Sequence, residues 1–430
     1  MFRVYKHISI SFLMVLVMSL LPKGQSVQAQ LVQETVQLGI DNLIEMNFEP
    51  LKGKKVCLLT NTSGRSSQLI PTAQLIAESD QCTLVSILSP EHGYYATIPA
   101  GQDVNNDSLW NVPVYSLYGK YRRPSKQMLA DADIIVVDIQ DIGIRSYTFI
   151  SSLYNVMDAC AEYNKEVLIL DRPNPMGGLI VDGPIADSAL LSFVCIAPIP
   201  YIHGLTIGEF ALLVNKEQML PKDKYGKARI CELSVLKMTY WTRSMTWYDT
   251  GLHFCPTSPN IPNAQSIFGA AIAGPIGEIG SAGIGVGTTL PFQYIAAPFI
   301  NSQQFLQEIN DNISPLGVQA GIARYRIPTG KYPNQDCNGI IVHTSCKPDA
   351  RPFSAGIEIL LGLRRMFPEH FTAEYVKDEP KSMFRKIISN QTIVDLLLQG
   401  GSDDLIRAQL MKGVDDYLQT RKKYVLYSEY

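Results

Sequence analysis

The chain lacks most of the features that would reveal a function at first sight. Its 37 basic and 40 acidic residues nearly cancel, giving a net charge of −3 and no electrostatic basis for binding nucleic acid. Its eight cysteines are scattered without a CxxC pair, so a thiolate zinc site is not expected. Phosphate-loop, GxGxxG, GxSxG and HExxH patterns are all missing. These absences argue against nucleotide binding, an α/β-hydrolase mechanism and an HExxH metal centre.

Residues 1–29 have the pattern of a secretory signal peptide. Arg3 and Lys6 precede an apolar core of about 14 residues, shorter than the roughly 20 residues that span a bilayer. The segment ending at Ala29 suits cleavage before Gln30, and no cysteine is present there for a lipid anchor. We therefore expect a secreted or periplasmic protein without a membrane anchor. The sequence leaves its oligomeric state open.

Strand-like and helix-like segments alternate through the first part of the mature chain. The predicted strands are 54–61, 83–90, 112–119, 134–138 and 166–171, and the predicted helices are 68–79, 124–132, 147–164 and 206–220. The central strand carries the β-branched run Ile134 to Val137, typical of a strand buried on both faces. This alternation predicts an α/β domain with a doubly wound, mostly parallel sheet, which we place at residues 30–289.

The character of the sequence changes from Ile267 to Gly287. This segment is rich in Gly and Ala, which favours a close backbone approach or a flexible loop over an ordinary helix. Beyond it we predict helices at 302–312 and 354–366, strands near 320–328 and 338–344, and a more charged helical remainder. These elements predict a second, smaller α+β domain at residues 290–430.

Polar side chains follow four of the predicted strands. Because the carboxyl ends of parallel strands meet at one edge of a sheet, we expect these side chains to form a cleft. Each of them alone could equally be a helix cap or half of an ion pair. The candidates at this edge are Asn61, Glu91, His92, Asp138, Gln140, Asp141, Arg145, Asp171, Arg172 and Asn174, with His203, Glu209, Ser258 and Asn260 from later segments.

Carboxylates grouped in this way suit glycoside hydrolysis, which needs one carboxyl group as a general acid and a second group as base, nucleophile or charge stabiliser. Glu91 is a plausible acid, with His92 or Arg145 tuning it. The competing interpretation is a metal hydrolase that uses His92, His203 and Asp138, since such sets of ligands bind zinc.

Motifs along the whole mature chain resemble those of the exo-β-N-acetylmuramidases. They include SPEHG (89–93), PVYSLYG (113–119), DIQDIGIRSYT (138–148), DRPNPMGG (171–178), HGLTIGE (203–209), SPNIP (258–262) and GTTLPFQ (287–293). The resemblance implies a Rossmann-like domain, a smaller C-terminal domain and a cleft between them. It also implies release of terminal N-acetylmuramic acid from the non-reducing end of peptidoglycan fragments, with peptidoglycan-derived saccharides as partners. Because the chemistry is assigned to carboxylates, we expect no metal or cofactor.

From the residues and the resemblance together we predict two sets of site residues. The predicted catalytic set is Glu91, His92, Asp141 and His203. The predicted substrate-binding set is Asn61, Asp138, Gln140, Arg145, Asp171, Arg172, Asn174, Glu209, Ser258, Asn260 and Glu278.

One segment departs from the family pattern EGTNxSEGRGTTRPFE. Glu278 keeps its first acid, but Ile284 replaces the second acid, and Val286 and Leu290 replace two arginines. Loss of a carboxylate and two guanidinium groups changes a polar sugar site substantially. Two hypotheses follow: a glycosidase whose substrate differs, for example by lacking an acidic lactyl group, or an exported relative that binds glycans with reduced catalysis.

Overall fold

The larger sheet has seven strands and is parallel except at one edge. The computed structural model describes residues 35–371 and 382–430, so the predicted signal peptide lies outside the described residues. The strands are β1 (Lys55–Thr60), β2 (Thr83–Ser89), β3 (Asp107–Leu109), β4 (Val112–Ser116), β5 (Ile134–Asp138), β6 (Glu166–Leu170) and β7 (Glu232–Leu236). Their spatial order is β3-β4-β2-β1-β5-β6-β7, and only β3 pairs in the antiparallel sense.

Helices cover both faces of this sheet. Along β5, Val136 faces the core shared with α1 (Gly39–Glu45) and α2 (Thr72–Ala77), whereas Val137 faces the core shared with α3 (Phe149–Tyr163) and α4 (Ile207–Lys216). Successive side chains of a strand point to opposite faces, so a strand buried on both sides must be apolar throughout. The continuous run in β5 meets this requirement, and the predicted doubly wound α/β fold is confirmed.

The smaller sheet is antiparallel, with the order β8-β10-β9. Its strands are β8 (Tyr294–Ala297), β9 (Val318–Tyr325) and β10 (Cys337–Thr344). The helices of this part are α5 (Ala264–Ile279), α6 (Ser302–Ile313), α7 (Pro352–Met366), α8 (Met383–Ile388), α9 (Gln391–Leu398) and α10 (Asp403–Leu410). The last helix, α11 (Val414–Arg421), packs against the core of the larger sheet. The smaller sheet and its helices confirm the predicted second α+β domain. The boundary between residues 289 and 290 stays a prediction.

The Gly- and Ala-rich segment was expected to make a close backbone approach or a flexible loop rather than an ordinary helix. The close approach is observed, but most of the segment is helical. Residues 264–279 form α5, which packs closely against α7. A Cβ atom on Gly356 of α7 would lie 2.1 Å from the carbonyl oxygen of Ile272. Small residues permit this approach, and a helix buried on most sides shows no amphipathic period. Composition alone therefore did not reveal this helix.

Two further findings concern the helices. The helix predicted at 124–132 is wrong, because those residues form turns before β5. Within residues 35–371 and 382–430, no helix is both long and apolar enough to cross a membrane.

Candidate functional site

A cleft of about 420 Å³ opens beyond the carboxyl end of β2 and is lined by residues from both parts of the chain. It brings together Glu91, His92, Ser258, Asn260 and Glu278 from the predicted set. Much of its remaining wall is apolar, from Ile142, Ile144, Ile261, Ile284, Phe292 and Ile387. Tyr118, Tyr147, Thr148 and Tyr201 also line it.

Glu91 follows β2 and is held from both of its oxygens. The Thr148 hydroxyl donates to Oε2 at 2.6 Å, and the Gly101 amide donates to Oε1 at 3.2 Å. Thr148 precedes α3 but makes no side-chain cap to that helix, so its hydroxyl is committed to Glu91. Burial, followed by the charge of Glu91 and a hydrogen bond to it, raises the pKa of Tyr118 to about 12. Glu91 is 7 % exposed, and that opening faces the cleft.

His92 is fixed in orientation by the turn that follows β2. Its φ of 72° lies in the left-handed region, which is uncommon for a residue with a side chain and occurs more often at functional sites. Nδ1 lies 2.7 Å from the Ile98 carbonyl oxygen. Because a carbonyl only accepts, Nδ1 carries the proton of this hydrogen bond. Nε2 is then the ring atom available to a ligand in the cleft.

Glu278 lies in the last turn of α5 and supplies the second carboxyl group of the cleft. Its side chain is reached by solvent, yet the surrounding protein desolvates it enough to raise its pKa. Its charge also adds to the burial that raises the pKa of Tyr201 to about 12, so the two side chains are neighbours. A carboxylate with a raised pKa is a stronger base than an ordinary one.

Asp141 and His203 form a buried pair that does not line the cleft. His203 Nε2 lies 3.7 Å from Asp141 Oδ2, which also accepts from the Gly143 amide. The Leu205 amide donates to His203 Nδ1, so the proton of a neutral ring is on Nε2. Neither residue lines the cleft, although Ile142, which follows Asp141 in the chain, does.

Asp138 and Arg172 form an ion pair at the ends of β5 and β6. Arg172 donates from Nε to Asp138 Oδ1 and, at 3.0 Å, from one terminal nitrogen to Oδ2. The Thr72 hydroxyl also donates to Asp138, in a short contact. Asp138 is fully buried and Arg172 is 4 % exposed. The pair fills the position where strand order reverses between β1 and β5, the usual ligand site of such sheets.

Arg145 is completely buried and lies apart from the cleft lining. Its guanidinium group donates to four backbone carbonyls, those of Pro184, Ile199, Ile387 and Ile388. The expected convergence of Arg145 on Glu91 is not seen, because its donors join the loop after β5 to the end of α8. Its burial lowers the pKa of the guanidinium group.

Asp171 and Glu209 hold the start of α4. Asp171 accepts from the Gly208 amide and from the hydroxyls of Thr206 and Tyr427, and burial raises its pKa to about 6. Glu209 completes a capping box with Thr206 and accepts from Arg243 at 2.6 Å. Both carboxyl groups are fully buried, so the structure places them in the scaffold.

Three of the four predicted amides brace loops, and the fourth, Asn260, lines the cleft. Asn61 Oδ1 accepts from the amide and the hydroxyl of Ser63, and the Gln140 side chain donates to the Asp141 and Pro173 carbonyls. Asn174 donates to the Leu205 carbonyl. Such contacts are typical of Asn and Gln that replace missing backbone partners in turns.

The residues of the competing metal interpretation are not brought together. His92 bonds to Ile98, His203 faces Asp141, and Asp138 pairs with Arg172. In the part of the chain that the structure describes, no group of three His, Cys, Asp or Glu side chains is arranged to hold a metal ion. The donor geometry therefore gives this interpretation no support.

Sequence reasoning missed the hydroxyl groups around Glu91. Thr148 and Tyr118 lie inside motifs that carry the family resemblance, but their polar atoms were not assigned a role. The signal was available for Thr148, since a Thr before a helix that follows a strand end is well placed to face a site. Of the three substituted positions, Ile284 lines the cleft, and Val286 and Leu290 do not.

A doubly wound α/β domain joined to a smaller α+β domain, with two glutamates in one cleft, is consistent with a glycosidase. Family models described as the N-terminal and C-terminal parts of exo-β-N-acetylmuramidase NamZ match residues 56–265 and 276–427. The chain belongs to this family.

Known relatives agree with this assignment. The chain is 35 % identical over 394 residues to the peptidoglycan β-N-acetylmuramidase NamZ of Bacillus subtilis, covering 91 % of each sequence. A DUF1343 family protein from Bacteroides fragilis, solved at 1.65 Å, matches with a TM-score of 0.83 and 36 % identity over 92 % of this chain and 99 % of that one. A second DUF1343 family protein from that species, solved at 1.30 Å, matches with a TM-score of 0.70 and 29 % identity. The match covers 92 % of this chain and 100 % of that one.

Proposed function

We propose that the chain is an exo-acting glycoside hydrolase that releases terminal N-acetylmuramic acid, or a closely related amino sugar, from the non-reducing end of peptidoglycan fragments. The observation that carries the proposal is the cleft that joins Glu91, His92 and Glu278. The Bacillus relative, whose name specifies a peptidoglycan β-N-acetylmuramidase, supplies the substrate class.

In this proposal Glu91 is the general acid that protonates the leaving oxygen. Two of its neighbours, Thr148 and Tyr118, present hydroxyl groups to its carboxyl group. A hydroxyl can donate to a carboxylate and can accept from a carboxylic acid. The site can therefore satisfy Glu91 both before and after it gives up its proton. An acid catalyst that is regenerated in each turnover needs both states.

Glu278 is the proposed second carboxyl group. Desolvation raises its pKa and makes its ionised form more basic, which suits a group that accepts a proton or stabilises positive charge at the sugar. His92 presents Nε2 to the same cleft and can bind a sugar hydroxyl or acetamido group. The apolar wall formed by Ile284 and Phe292 suits the less polar face of a sugar ring.

Release of a chromogenic group from a β-N-acetylmuramide tests this function directly. We expect the purified enzyme to release the chromophore. The Glu91→Gln variant should still bind the sugar but should cleave a natural disaccharide far more slowly than the unaltered enzyme. Activity should survive treatment with a chelator, because no step is assigned to a metal. Loss of activity that zinc restores would favour the metal interpretation.

A second candidate function is glycan binding with reduced catalysis. The observation that favours it is Ile284, an apolar residue in the cleft where the family pattern has an acid. Saturable sugar binding by the unaltered chain, with no release from muramide or glucosaminide substrates, would support this alternative and contradict the first.

We also propose export, with cleavage before Gln30, because residues 1–29 have the order of charge and apolar residues found in signal peptides. N-terminal sequencing of the protein recovered outside the cytoplasm should begin at Gln30. A mature N-terminus within residues 1–10 would contradict cleavage and point to an anchor.

A further inference from the structure

Arg122 lies at the edge of the cleft against two aromatic rings, whose centres are 6.0 Å from each other. Its guanidinium carbon is 5.3 Å from the centre of the Tyr118 ring and 4.5 Å from that of Phe193. Tyr118 lines the cleft, and Phe193 directly precedes Val194, which lines it as well. Arg122 therefore rests on two segments of the cleft wall, and its side chain is exposed.

The contacts of Arg122 differ from those of its neighbour in the chain. Arg123 forms ion pairs with Asp158 and Glu162, which explains its presence in structural terms. Within the described residues, Arg122 forms no ion pair with any carboxylate. A guanidinium group stacked on rings loses conformational freedom while its in-plane N–H donors stay available to a ligand. Such a group is prepared to bind an anion.

The interior of the cleft carries acidic side chains, in contrast to the positive charge of Arg122 at its edge. Glu91 and Glu278 both line it, and no Lys or Arg is among its described lining residues. A substrate carboxylate placed deep in this cleft would meet two acidic groups and no fixed cation, which is unfavourable in a partly desolvated site. A carboxylate directed toward the edge would instead meet Arg122, a favourable bidentate partner.

We propose that Arg122 is a specificity-determining residue that binds a carboxylate of the substrate at the edge of the cleft. This inference rests on the proposed function, since it concerns the same cleft. The carboxylate has two possible sources in peptidoglycan fragments: the lactyl ether of a muramic sugar, or a peptide attached to it. The chemistry of recognition is the same, and substrate choice separates the two.

The test compares the unaltered enzyme with Arg122→Gln on four chromogenic β-glycosides. These carry N-acetylmuramic acid, its lactyl methyl ester, a muramyl peptide and N-acetylglucosamine. We expect Arg122→Gln to raise KM about tenfold for a substrate whose carboxylate is bound, the loss of roughly one charged hydrogen-bonded contact. Its kcat should change less than about twofold, because Arg122 does not touch the reacting atoms. The methyl ester and the glucosaminide should be unaffected.

Lys120→Gln is the matched control. This substitution removes one positive charge two residues before Arg122. The Lys120 side chain is exposed, and its ammonium group lies over the Tyr121 ring. Arg122→Lys retains the charge but loses the planar fork, and should fall between the unaltered enzyme and Arg122→Gln. An effect on muramic acid identifies the lactyl source, and an effect confined to the muramyl peptide identifies the peptide source.

Equal KM values for Arg122→Gln and the unaltered enzyme on both acidic substrates would overturn the inference. Equal effects of Lys120→Gln and Arg122→Gln would also overturn it, because they would indicate general electrostatic attraction. If the unaltered enzyme cleaves nothing, the proposed function fails, and calorimetric binding of free N-acetylmuramic acid and muramyl peptide decides the inference separately. Weaker binding of either ligand by Arg122→Gln supports it, and equal or undetectable binding of both by the two proteins contradicts it.

Discussion

Replacing Arg145 with Met separates a structural role from a substrate-binding role. The guanidinium group donates to four carbonyls in a completely buried position, and Met is too apolar to satisfy any of them. Each buried acceptor left unpaired costs about 1–3 kcal/mol, although local relaxation and relief from burying the charge offset part of the sum. We expect a net loss of about 4 kcal/mol, in the range measured for breaking buried charge contacts.

That loss is a large share of the roughly 5–15 kcal/mol that stabilises a typical domain. Urea unfolding of Arg145→Met should show it, whereas Arg326→Met, at an exposed arginine, should stay within about 0.5 kcal/mol of the unaltered protein. Below the unfolding transition, the KM of Arg145→Met should match that of the unaltered enzyme. A stable Arg145→Met protein with a strongly raised KM would refute the structural role and restore the predicted substrate contact.

Three other predictions concern buried or cleft carboxyl groups. Burial raises the pKa of Asp171 from 3.8 to about 6, so its contribution to stability is present below pH 3.8 and is lost as pH rises through 6. In urea unfolding, the free energy of unfolding of Asp171→Asn should fall less steeply with pH between 3.8 and 6 than that of the unaltered protein. An equal slope for the two proteins would contradict the raised pKa of Asp171. Glu278→Gln should lower kcat by about 10²–10⁴, and its remaining activity should no longer fall as the pH is lowered. If the activity of the variant still falls at low pH as in the unaltered enzyme, Glu278 is not the base. Arg172→Met should lower the free energy of unfolding by about 3–5 kcal/mol, measured by urea unfolding, because it leaves the Asp138 carboxylate buried without its cation. Adding Asp138→Leu should recover part of that loss, whereas additive losses from the two substitutions would argue against the ion pair.

The sheet could be predicted from the sequence because each strand is marked by a short apolar run in its own segment. The apolar run in β5, ending at Asp138, is readable without knowing its neighbours, and the same holds for the strand that leads to Glu91. Helix α5 could not be read in this way. Its burial depends on α7, nearly 90 residues further along the chain, and burial on most sides removes the periodic pattern.

The candidate site was predicted in part for the same reason. Position at a strand end selected Glu91 and His92, and the structure places both in the lining of the cleft. That criterion selected Asp138 and Arg172 equally, and the sequence cannot show that these two neutralise each other. Arg145 is harder still, because its partners are backbone carbonyls from distant segments, which leave no mark in side-chain identity. Whether the residues outside the cleft affect substrate binding stays a prediction.

The central claim is that Glu91 donates a proton to the leaving oxygen from within the cleft. Glu91→Gln keeps the size of the side chain and its contacts with Thr148 and Gly101 but removes the transferable proton. The most direct measurement is kcat of Glu91→Gln on a natural disaccharide and on a nitrophenyl glycoside, whose leaving group needs little protonation. We predict a loss of about 10²–10⁴ on the disaccharide and a much smaller loss on the nitrophenyl substrate. A folded variant with a near-normal rate on the disaccharide, or with equal losses on both substrates, would contradict the account.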